Sequence, residues 1–565
     1  MNKNSSRVSH LTSVTTILFS LLLLTVLLGT VTVASAGGTG EGTSLTSVTV
    51  LNLHAPIRID SDQDLVSQAA GEGWGGNGSV SNPFMIENLE VNATGSFYGI
   101  YLGNVTMSFV VSSCSVYGAI AADVDDYPYH YGAGIEVLDA TGTVKVQNNL
   151  CDGNSEGIFV YGSNSSTVAD NTCNNNDHDG ISLSGSCNGS VLDNICSGNA
   201  NTGIYLAGSS TGNKVTGNVC GAEGYGIYLY RSGPNAVSGN SCKSDGHGIL
   251  LGASGNSSVS GNTCTGSTLS GITLEGSNSS SVSGNTCNDN GYYGIFLDTA
   301  NGDSVSGNTC DGNKYYGIFL GGSYSNTVTD NDCSSNSFYG IYLYSSLSNT
   351  VSGNTCDYNT HYGVYLYSAS ISNVIQANTC DGNLEVGIFL YSSGTENLLK
   401  ANTCDDNGHY GVYLYSSNFT RITENLCRTN GYYGVYLYNE SSNNTVQANT
   451  CNDNSVTGIL LYLDCRNNTV QANTCNGNSG KGVQLLKACD NNTVQANTCL
   501  GNGEGISVDG TSTGNLIAGN TVAAPANNDW LWFAAGGAAL LVIVLLILLV
   551  LRRRGPAKKK RRSGR

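Results

Sequence analysis

The sequence predicts an all-β fold: a single-stranded parallel β-helix with three strands in each coil, followed by one C-terminal transmembrane helix. The main observation is a repeat, since the triplet Asn-x-Cys returns every 22–24 residues through most of the chain. Within each repeat, apolar residues alternate with polar or aromatic residues, which is the period of a β-strand. The 565 residues include 74 Gly but only 6 Pro and 11% charged residues, and this composition excludes collagen and a disordered acidic chain.

The N-terminal end has the order of a secretory signal. Residues 1–36 contain two basic residues, then an apolar stretch, then an Ala-Ser-Ala cleavage site. An uncleaved N-terminal membrane anchor is the alternative interpretation. Residues 37–84 are then expected to form an N-terminal capping segment ahead of the repeats.

The repeat region is predicted to cover residues 85–524. A Gly-Ile or Gly-Val pair runs in step with the cysteine throughout. Leucine-rich repeats have a similar length, but their LxxLxL pattern is missing, and coils so rich in Gly, Asn and β-branched residues disfavour helices. The cysteines of the repeat are Cys151, Cys173, Cys196, Cys220, Cys242, Cys264, Cys287, Cys310, Cys333, Cys356, Cys380, Cys404, Cys427, Cys451, Cys475 and Cys499.

The parity of the apolar residues gives the geometry of a coil. In Gly434–Tyr438 the valine and the leucine share one face, and the two tyrosines share the other. In Val446–Cys451 the valine and the alanine alternate, but the cysteine is one residue out of phase, so a corner at Asn449 is needed to return it to the inside. Three strands and their turns then form one coil, and coils stack ~4.8 Å apart as parallel strands. The corner asparagines are expected to stack into a ladder of side-chain amides.

The C-terminal end predicts a membrane anchor. Residues 525–529 form a short linker, and residues 530–551 follow without a single charge. A segment of 22 such residues crosses a ~30 Å hydrocarbon core as a helix, and Trp530 and Trp532 suit an interfacial aromatic belt. Residues 552–565 carry nine Lys and Arg, which predicts a cytoplasmic tail. We therefore expect a single-pass protein of the cell membrane with an extracellular ectodomain.

The charge of that ectodomain excludes nucleic-acid binding. Residues 37–529 hold 12 of the 23 Lys and Arg and all 41 Asp and Glu, which gives a net charge of −29 against −18 for the whole chain. Such a surface repels nucleic acids and anionic membranes but attracts cations. Twelve Asn-x-Ser/Thr sequons in the same region predict a glycoprotein in any cell that has the machinery.

The repeat pattern resembles the right-handed parallel β-helix repeats of pectate-lyase-like proteins and of the NosD-type periplasmic copper-binding family. The resemblance rests on the two periods in residues 85–524 and on the lead-in GEGWGGNGSVSNPFMIENLEV, residues 71–91, which is similar to NosD-like archaeal surface proteins. It implies a right-handed coil. It implies no single activity, because this architecture carries lyases, hydrolases, adhesins and assembly factors alike.

Copper is the ligand that the NosD resemblance implies, and the residue types argue against it. Copper(I) prefers Met, Cys or His ligands. The predicted mature ectodomain has only Met85 and Met107, and its six histidines are scattered along the chain. The sequence alone therefore assigns no metal site, and a copper cofactor is not expected.

The cysteine column is predicted to point inward, where thiols behave as small apolar side chains. Stacked Cβ atoms ~4.8 Å apart exceed the 3.5–4.5 Å that a disulfide prefers, so free thiols are favoured, with disulfide pairs or a metal site as alternatives. Cys465 and Cys489 are different. They occupy equivalent places in adjacent coils near a turn, so they are candidates for a disulfide in an oxidising exterior.

Stacked aspartates follow the cysteine in three successive coils, and we call these the aspartate column: Asp357, Asp381 and Asp405, with Asp406 beside the last. Polysaccharide lyases and hydrolases of the resembling architecture use clustered acids of this kind. Like charges ~4.8 Å apart favour a bound cation, for which calcium is the candidate, or a raised pKa. The alternative is a turn column, because other coils carry Asn, Ser, Gly, Lys or Thr at the same position.

Two aromatic columns are predicted on the outside of the Gly-Ile strand. They span six consecutive coils, about 25 Å at the strand spacing, and an exposed apolar patch of that size commonly marks a partner surface. The alternative is that stacked tyrosines only support each other and cover the sheet. The residues of this predicted binding face are Tyr342, Tyr344, Tyr365, Tyr367, Phe389, Tyr391, Tyr413, Tyr415, Tyr436, Tyr438 and Tyr462.

These features predict a membrane-anchored extracellular rod that binds glycans or neighbouring proteins of the cell envelope. The alternative is a polysaccharide lyase or hydrolase, and a copper-binding or copper-delivery role comes third. Whether the chain is an enzyme is left open. A binding role is favoured over catalysis, because the sequence contains no Ser-His-Asp, HExxH or phosphate-loop pattern.

Overall fold

The computed structural model of the chain describes residues 31–32, 47–48, 51–121 and 131–523. The signal peptide apart from residues 31–32, the linker, the apolar segment 530–551 and the basic tail therefore lie outside the described residues. Within the described part, no helix is both long and apolar enough to cross a membrane.

The chain forms a right-handed parallel solenoid of about 19 turns. Each turn contributes one strand to a first sheet, and every strand pairs in parallel with the equivalent strand of the next turn. The strands of the first sheet are Ile57–Ile59, Tyr98–Gly103, Ala133–Leu138, Glu156–Tyr161, Asp179–Ser184, Thr202–Ala207, Tyr225–Tyr230, His247–Gly252, Ile272–Glu275, Tyr293–Asp298, Tyr316–Gly321, Tyr339–Tyr344, Tyr362–Tyr367, Val386–Tyr391, Tyr410–Tyr415, Tyr433–Tyr438, Thr457–Tyr462, Lys481–Leu486 and Glu504–Val508.

A second sheet runs along another side of the solenoid with the same one-coil register. Most of its strands are three residues long, with a single buried residue at the centre. The strands of the second sheet are Phe84–Glu87, Phe109–Ser112, Val144–Gln147, Thr167–Ala169, Ser190–Leu192, Lys214–Thr216, Ala236–Ser238, Ser258–Ser260, Ser281–Ser283, Ser304–Ser306, Thr327–Thr329, Thr350–Ser352, Val374–Gln376, Leu398–Lys400, Arg421–Thr423, Thr445–Gln447, Thr469–Gln471, Thr493–Gln495 and Leu516–Ala518.

The third sheet carries the cysteine column. From Thr286 to Thr474 the column continues as isolated parallel bridges between threonines and their equivalents. The strands of the third sheet are Asn52–His54, Leu89–Asn92, Ser115–Tyr117, Leu150–Asp152, Thr172–Asn174, Ile195–Ser197, Val219–Gly221, Ser241–Lys243, Thr263–Thr265, Thr498–Leu500 and Thr521–Ala523.

The segment predicted as a cap contains elements of its own. Its Ser47–Val48 pairs antiparallel with Val31–Thr32 of the predicted signal peptide, and the first solenoid strands begin at Asn52, earlier than the predicted start at residue 85. A helix, Asp62–Glu72, follows them, with Leu65 and Ala69 buried against the first coils. The side chain of Ser61 caps its N-terminus and Gly73 ends it in the left-handed conformation, two signals that the sequence does contain.

The core confirms the predicted parity. In Tyr433–Tyr438, Val435 and Leu437 are fully buried, and every cysteine of the repeat is buried or nearly so. The glycine of the Gly-Ile pair also points inward: a Cβ on Gly340 would lie 2.7 Å from the Gly363 carbonyl oxygen. That close approach explains why glycine runs in step with the cysteine.

The corner differs from the prediction at one residue. Ala448 does not point inward with Val446: it is exposed and has a left-handed φ of 55°. The chain turns at this residue, and Asn449 points into the core instead. The alternation therefore stops one residue earlier than the sequence suggested, and the left-handed corner restores the cysteine to the inside.

The predicted asparagine ladder is present and continuous. The Nδ2 of each corner asparagine donates to the Oδ1 of the next at 2.9–3.0 Å, from Asn149 to Asn520. The same Nδ2 also donates to a backbone carbonyl of the preceding coil, as Asn402 does to Ile375 at 2.9 Å. Further ladders occupy the other corners: Asn383 Nδ2 donates to Asn407 Oδ1 in one, and Asn349 Nδ2 donates to Asn373 Oδ1 in another. Nineteen strands at ~4.8 Å make the solenoid about 85 Å long.

Candidate functional site

The two predicted aromatic columns lie side by side on the outer face of the first sheet. Rings of the first column stack between coils, with Tyr342–Tyr365 centroids 5.1 Å apart and Phe389–Tyr413 centroids 4.5 Å apart. The second column follows at similar spacings, such as 4.6 Å between Tyr391 and Tyr415. All eleven predicted residues therefore belong to one continuous surface.

Sequence reasoning missed two further columns that widen this surface. The strand Tyr339–Tyr344 has its first residue outward and its next two inward, so the residue before the glycine also faces out. Tyr339 stacks on Tyr362 at 5.0 Å, and Phe338 stacks on His361 at 5.1 Å in the column beyond. The repeated Tyr-Tyr-Gly and His-Tyr-Gly triplets were the signal for these columns. We call the four columns together, over residues 338–462, the aromatic face.

The aromatic face is less exposed than predicted. Phe389 and Tyr436 of the first column are only 6% and 9% exposed, because Tyr362 and Tyr433 pack edge-on against them at 5.0 and 5.1 Å. The other members of both columns are half-buried, except Tyr344, which is 42% exposed. Both columns therefore lie on the outer side of the sheet, but neither is fully exposed to solvent.

Ring orientation decides what the aromatic face offers to a partner. In the first column the rings are nearly parallel, with 10° between Tyr342 and Tyr365, so each covers the face of the next and only edges reach the surface. In the second column the planes of Tyr344 and Tyr367 are inclined by 33° and those of Tyr367 and Tyr391 by 50°, whereas Tyr391 and Tyr415 are stacked at 15°. The tilted rings leave part of each ring face uncovered by its neighbour. Burial raises the pKa of Tyr342 and Tyr365 well above the usual tyrosine range, so these phenols stay neutral.

The aspartate column is confirmed as a stack, and its carboxylates have backbone partners. Asp357 Oδ1 accepts the Asp381 N–H at 2.8 Å, and Asp381 Oδ1 accepts the Asp405 N–H at 2.7 Å. The last member, Asp405, binds the Arg428 side chain, with 2.9 Å between Oδ2 and Nε. Asp406 points elsewhere and accepts from the Thr429 hydroxyl. This geometry favours the turn interpretation; calcium binding there stays a prediction.

Asparagine at position 381 is expected to stabilise the fold at neutral pH. Burial raises the pKa of Asp381 to about 6, against a model-peptide value of 3.8. Because the folded-state pKa is raised, this carboxyl favours folding below pH ~4, and its contribution is lost as pH rises through ~6. Asp381→Asn keeps the Oδ1 acceptor and removes that loss. After screening by solvent we expect a gain below about 1 kcal/mol at pH 7 and none at pH 3.5, measured by urea unfolding.

The chain supplies the reverse experiment. Asn476 occupies the same column, and its Oδ1 accepts the Leu500 N–H at 2.8 Å. Asn476→Asp should lower stability at pH 7 and leave it unchanged at pH 3.5. Equal effects of either substitution at both pH values would contradict the assignment of the pKa shift to Asp381.

The cysteine column lies inside the solenoid as free thiols. Burial raises the pKa of Cys173 and Cys404 well above the usual thiol range, so these side chains are neutral and apolar. Cys465 and Cys489 are also buried and unbonded in the structure, and each thiol donates to a backbone carbonyl oxygen, that of Tyr462 at 3.5 Å and that of Leu486 at 3.1 Å. A disulfide between them stays a prediction.

One cluster of titratable groups was not predicted. On the outer side of the first sheet, His178 Nδ1 lies 3.1 Å from Glu156 Oε1 and 3.6 Å from Asp179 Oδ2. Both carboxylates are buried, whereas His178 is exposed. Burial raises the pKa of Glu156 to about 7, and hydrogen bonds to Asp179 and Glu156 raise the pKa of His178 to about 10. The signal was the register, because Glu156 and Asp179 precede the glycine in successive coils.

Two family models match the sequence. The model described as "Right handed beta helix region" matches residues 218–348, 247–404, 293–450 and 375–522, which together cover more than half of the 565-residue chain. The model described as "Periplasmic copper-binding protein (NosD)" matches residues 76–263. No curated protein matches the sequence significantly.

Solved structures similar to this chain include two epimerases and a DFA-IIIase. The periplasmic alginate epimerase AlgG is 16% identical, with 53% of this chain and 76% of that chain covered and a TM-score of 0.38. DFA-IIIase from Arthrobacter chlorophenolicus A6, without its lid and in complex with GF2, is 15% identical, with 53% and 94% covered and a TM-score of 0.35. The A-module of the Azotobacter vinelandii mannuronan C-5 epimerase AlgE6 is 16% identical, with 65% and 91% covered and a TM-score of 0.27. At these scores the similarity carries no inference about activity.

Copper can be tested against the residues that match the copper-binding description. The thiols within residues 76–263 belong largely to the buried column, where no ion from solvent reaches them. Across the part of the chain that the structure describes, Glu156, His178 and Asp179 form the single group of three or more His, Cys, Asp or Glu side chains arranged to hold a metal. One imidazole and two carboxylates are not the soft ligands that copper(I) prefers, so the residues do not fit that ion.

Proposed function

Because the chain belongs to the right-handed β-helix family, we propose that it is a rigid extracellular rod that binds extended glycans through the aromatic face. The observation that carries the proposal is the second aromatic column, which runs without interruption from Tyr344 to Tyr462 over six coils. Tilted phenol rings offer both apolar faces and hydroxyl edges. Sugar rings pair with such surfaces because they have apolar faces and polar edges themselves.

The position and charge of the aromatic face fit a binding role at the cell surface. If residues 530–551 anchor the rod, the aromatic face lies in its membrane-proximal half, because two strands of the first sheet follow Thr457–Tyr462 within the described residues. A net charge of −29 on residues 37–529 favours neutral glycans or cation-bridged ones. Protease added to intact cells should release the repeats and leave the basic tail; an ectodomain that stays protected would contradict this location. Archaeal origin remains a prediction.

Removing three tilted rings tests the binding proposal. In Tyr344→Ser/Tyr367→Ser/Tyr391→Ser the solenoid should stay folded, because outward rings do not fill the core. Loss of cross-strand ring pairs should cost about 0.2–1 kcal/mol per pair. Affinity for any polysaccharide that the parent retains on a glycan array should fall at least about tenfold, which is ~1.4 kcal/mol.

The matched control replaces Tyr161 and Tyr230 by serine. Both occupy the second-column position, and both are exposed. The two coils between them carry Ser184 and Ala207 at that position, so the column is interrupted there. The control should bind as the parent does. A folded triple variant with unchanged binding would leave the tyrosines as cover for the sheet, and depolymerisation of a bound polymer by the parent would favour the lyase or hydrolase alternative.

A further inference from the structure

We propose that Glu156, His178 and Asp179 bind one divalent transition-metal ion of the zinc class on the outer side of the first sheet. The three side chains come from two successive coils, since Glu156 begins the strand Glu156–Tyr161 and Asp179 begins Asp179–Ser184. The site is separate from the aromatic face and does not depend on the glycan proposal.

The distances suit a shared ion. Zinc binds imidazole nitrogen and carboxylate oxygen at about 2.0–2.2 Å, and two ligand atoms of one tetrahedral ion therefore lie roughly 3.4 Å apart. His178 Nδ1 lies 3.1 Å from Glu156 Oε1 and 3.6 Å from Asp179 Oδ2. All three ligand atoms lie within 4.8 Å of one another. The two measured separations are therefore close to the spacing of ligand atoms around one ion.

A second observation points to a missing partner. Glu156 is only 6% exposed, and its Oε2 is buried without any hydrogen bond. That atom belongs to the carboxyl group whose Oε1 faces His178, so the unsatisfied oxygen lies at the cluster itself. Burying a carboxylate oxygen without a partner is costly, and an ion would remove the cost.

The surroundings orient the ligands. Asn201 Nδ2 donates to Asp179 Oδ1 at 2.9 Å, which leaves Oδ2 directed to His178. Thr202, the residue paired with Asp179 in the next coil, has a buried hydroxyl without a partner. A hydrogen bond to the oxygen that does not bind the ion is the usual support for a carboxylate ligand. Imidazole with two carboxylates suits zinc or another borderline divalent ion.

The outer side of the first sheet also contains a natural control. His361 Nδ1 lies 2.7 Å from Glu385 Oε1, so this pair resembles His178 and Glu156 but lies in other coils. Among the described residues, the pair belongs to no group of three metal-binding side chains. The cluster should therefore bind zinc, and the pair should not.

The test is zinc titration of the full chain, purified without a histidine tag and dialysed against a chelator. We expect one Zn²⁺ per chain by calorimetry and metal analysis in the parent and in His361→Gln. Glu156→Gln and His178→Gln should each bind at least about tenfold more weakly, and circular dichroism should show that both remain folded. Co²⁺ in place of zinc should give visible absorption bands in the parent that are lost in these two variants. Affinity should fall as pH is lowered, because the ion displaces a proton from His178.

Several results would overturn the proposal. A parent that binds no Zn²⁺ after chelator treatment would do so, as would equal binding by Glu156→Gln and the parent. Loss of binding in His361→Gln would move the site to the control pair. Saturable Ca²⁺ binding without zinc binding would show a hard-ion site of another class.

Discussion

Replacing Asn402 by alanine is expected to lower the free energy of unfolding by about 2–4 kcal/mol, the largest effect of any single substitution proposed for this chain. The side chain of Asn402 is fully buried and makes four hydrogen bonds. Its Nδ2 donates to the Ile375 carbonyl oxygen and to Asn425 Oδ1, and its Oδ1 accepts from the backbone and the side chain of Asn378. Alanine removes the amide and leaves its four partners buried without these hydrogen bonds.

The measurement is the urea midpoint together with hydrogen exchange, which locates the loss within the array. Exchange should accelerate in the coils that contain Asn378 and Asn425 before it does so at either end, because each coil depends mainly on its neighbours. Gln447→Ala is the control, since this amide is exposed and such substitutions usually change stability by less than about 0.5 kcal/mol. Equal effects of the two substitutions would show that the ladder contributes nothing beyond an exposed amide.

Deleting one whole coil, residues 378–401, is expected to leave a folded and cooperative protein that is shorter by about 4.8 Å. The deletion joins Ala377 to Asn402, and Ala377 and Ala401 have the same left-handed φ, 52° and 53°. Asn402 then follows the same corner as before. The strand Val374–Gln376 can pair with Arg421–Thr423, because both already pair with the strand that is removed.

Deleting only residues 378–389 should abolish cooperative unfolding. The new junction places Leu390 where a corner asparagine is required, so the inward residues of the coil shift out of phase with both neighbours. Circular dichroism melting and size-exclusion chromatography compare the two deletions directly. If both variants melted as the parent does, the assignment of the coil boundaries would be wrong.

The fold could be predicted because the same local rule is repeated in every coil. One period of 22–24 residues and the parity of Val435 and Leu437 were enough to place three strands and an inward cysteine. The left-handed turn at Ala448 could not be predicted, because alanine disfavours that conformation and only the neighbouring coils impose it. The helix Asp62–Glu72 was missed because it lies outside the repeat, although its capping residues were present.

The surface was harder to predict than the core, because it depends on the register between coils. Tyr342 and Tyr344 were placed correctly on the outside, but their exposure depends on Tyr339, whose outward direction follows from two consecutive inward residues. The cluster of Glu156, His178 and Asp179 depends on the same register. Its members look unrelated along the chain and meet only when coils stack.

The direction of the bonds between coils has a mechanical consequence. Backbone and asparagine bonds between coils run along the axis of the rod, so tension between the ends loads the layers in series and every layer carries the same force. A terminal coil opens first because it has a neighbour on one side only, so the solenoid extends by unwinding from an end, one coil at a time, while the coils behind it stay folded. Each coil releases about 80 Å of chain as it opens, at ~3.4 Å per residue. A rod of this design dissipates a sudden pull in steps and keeps a folded template on which the released coils can wind again.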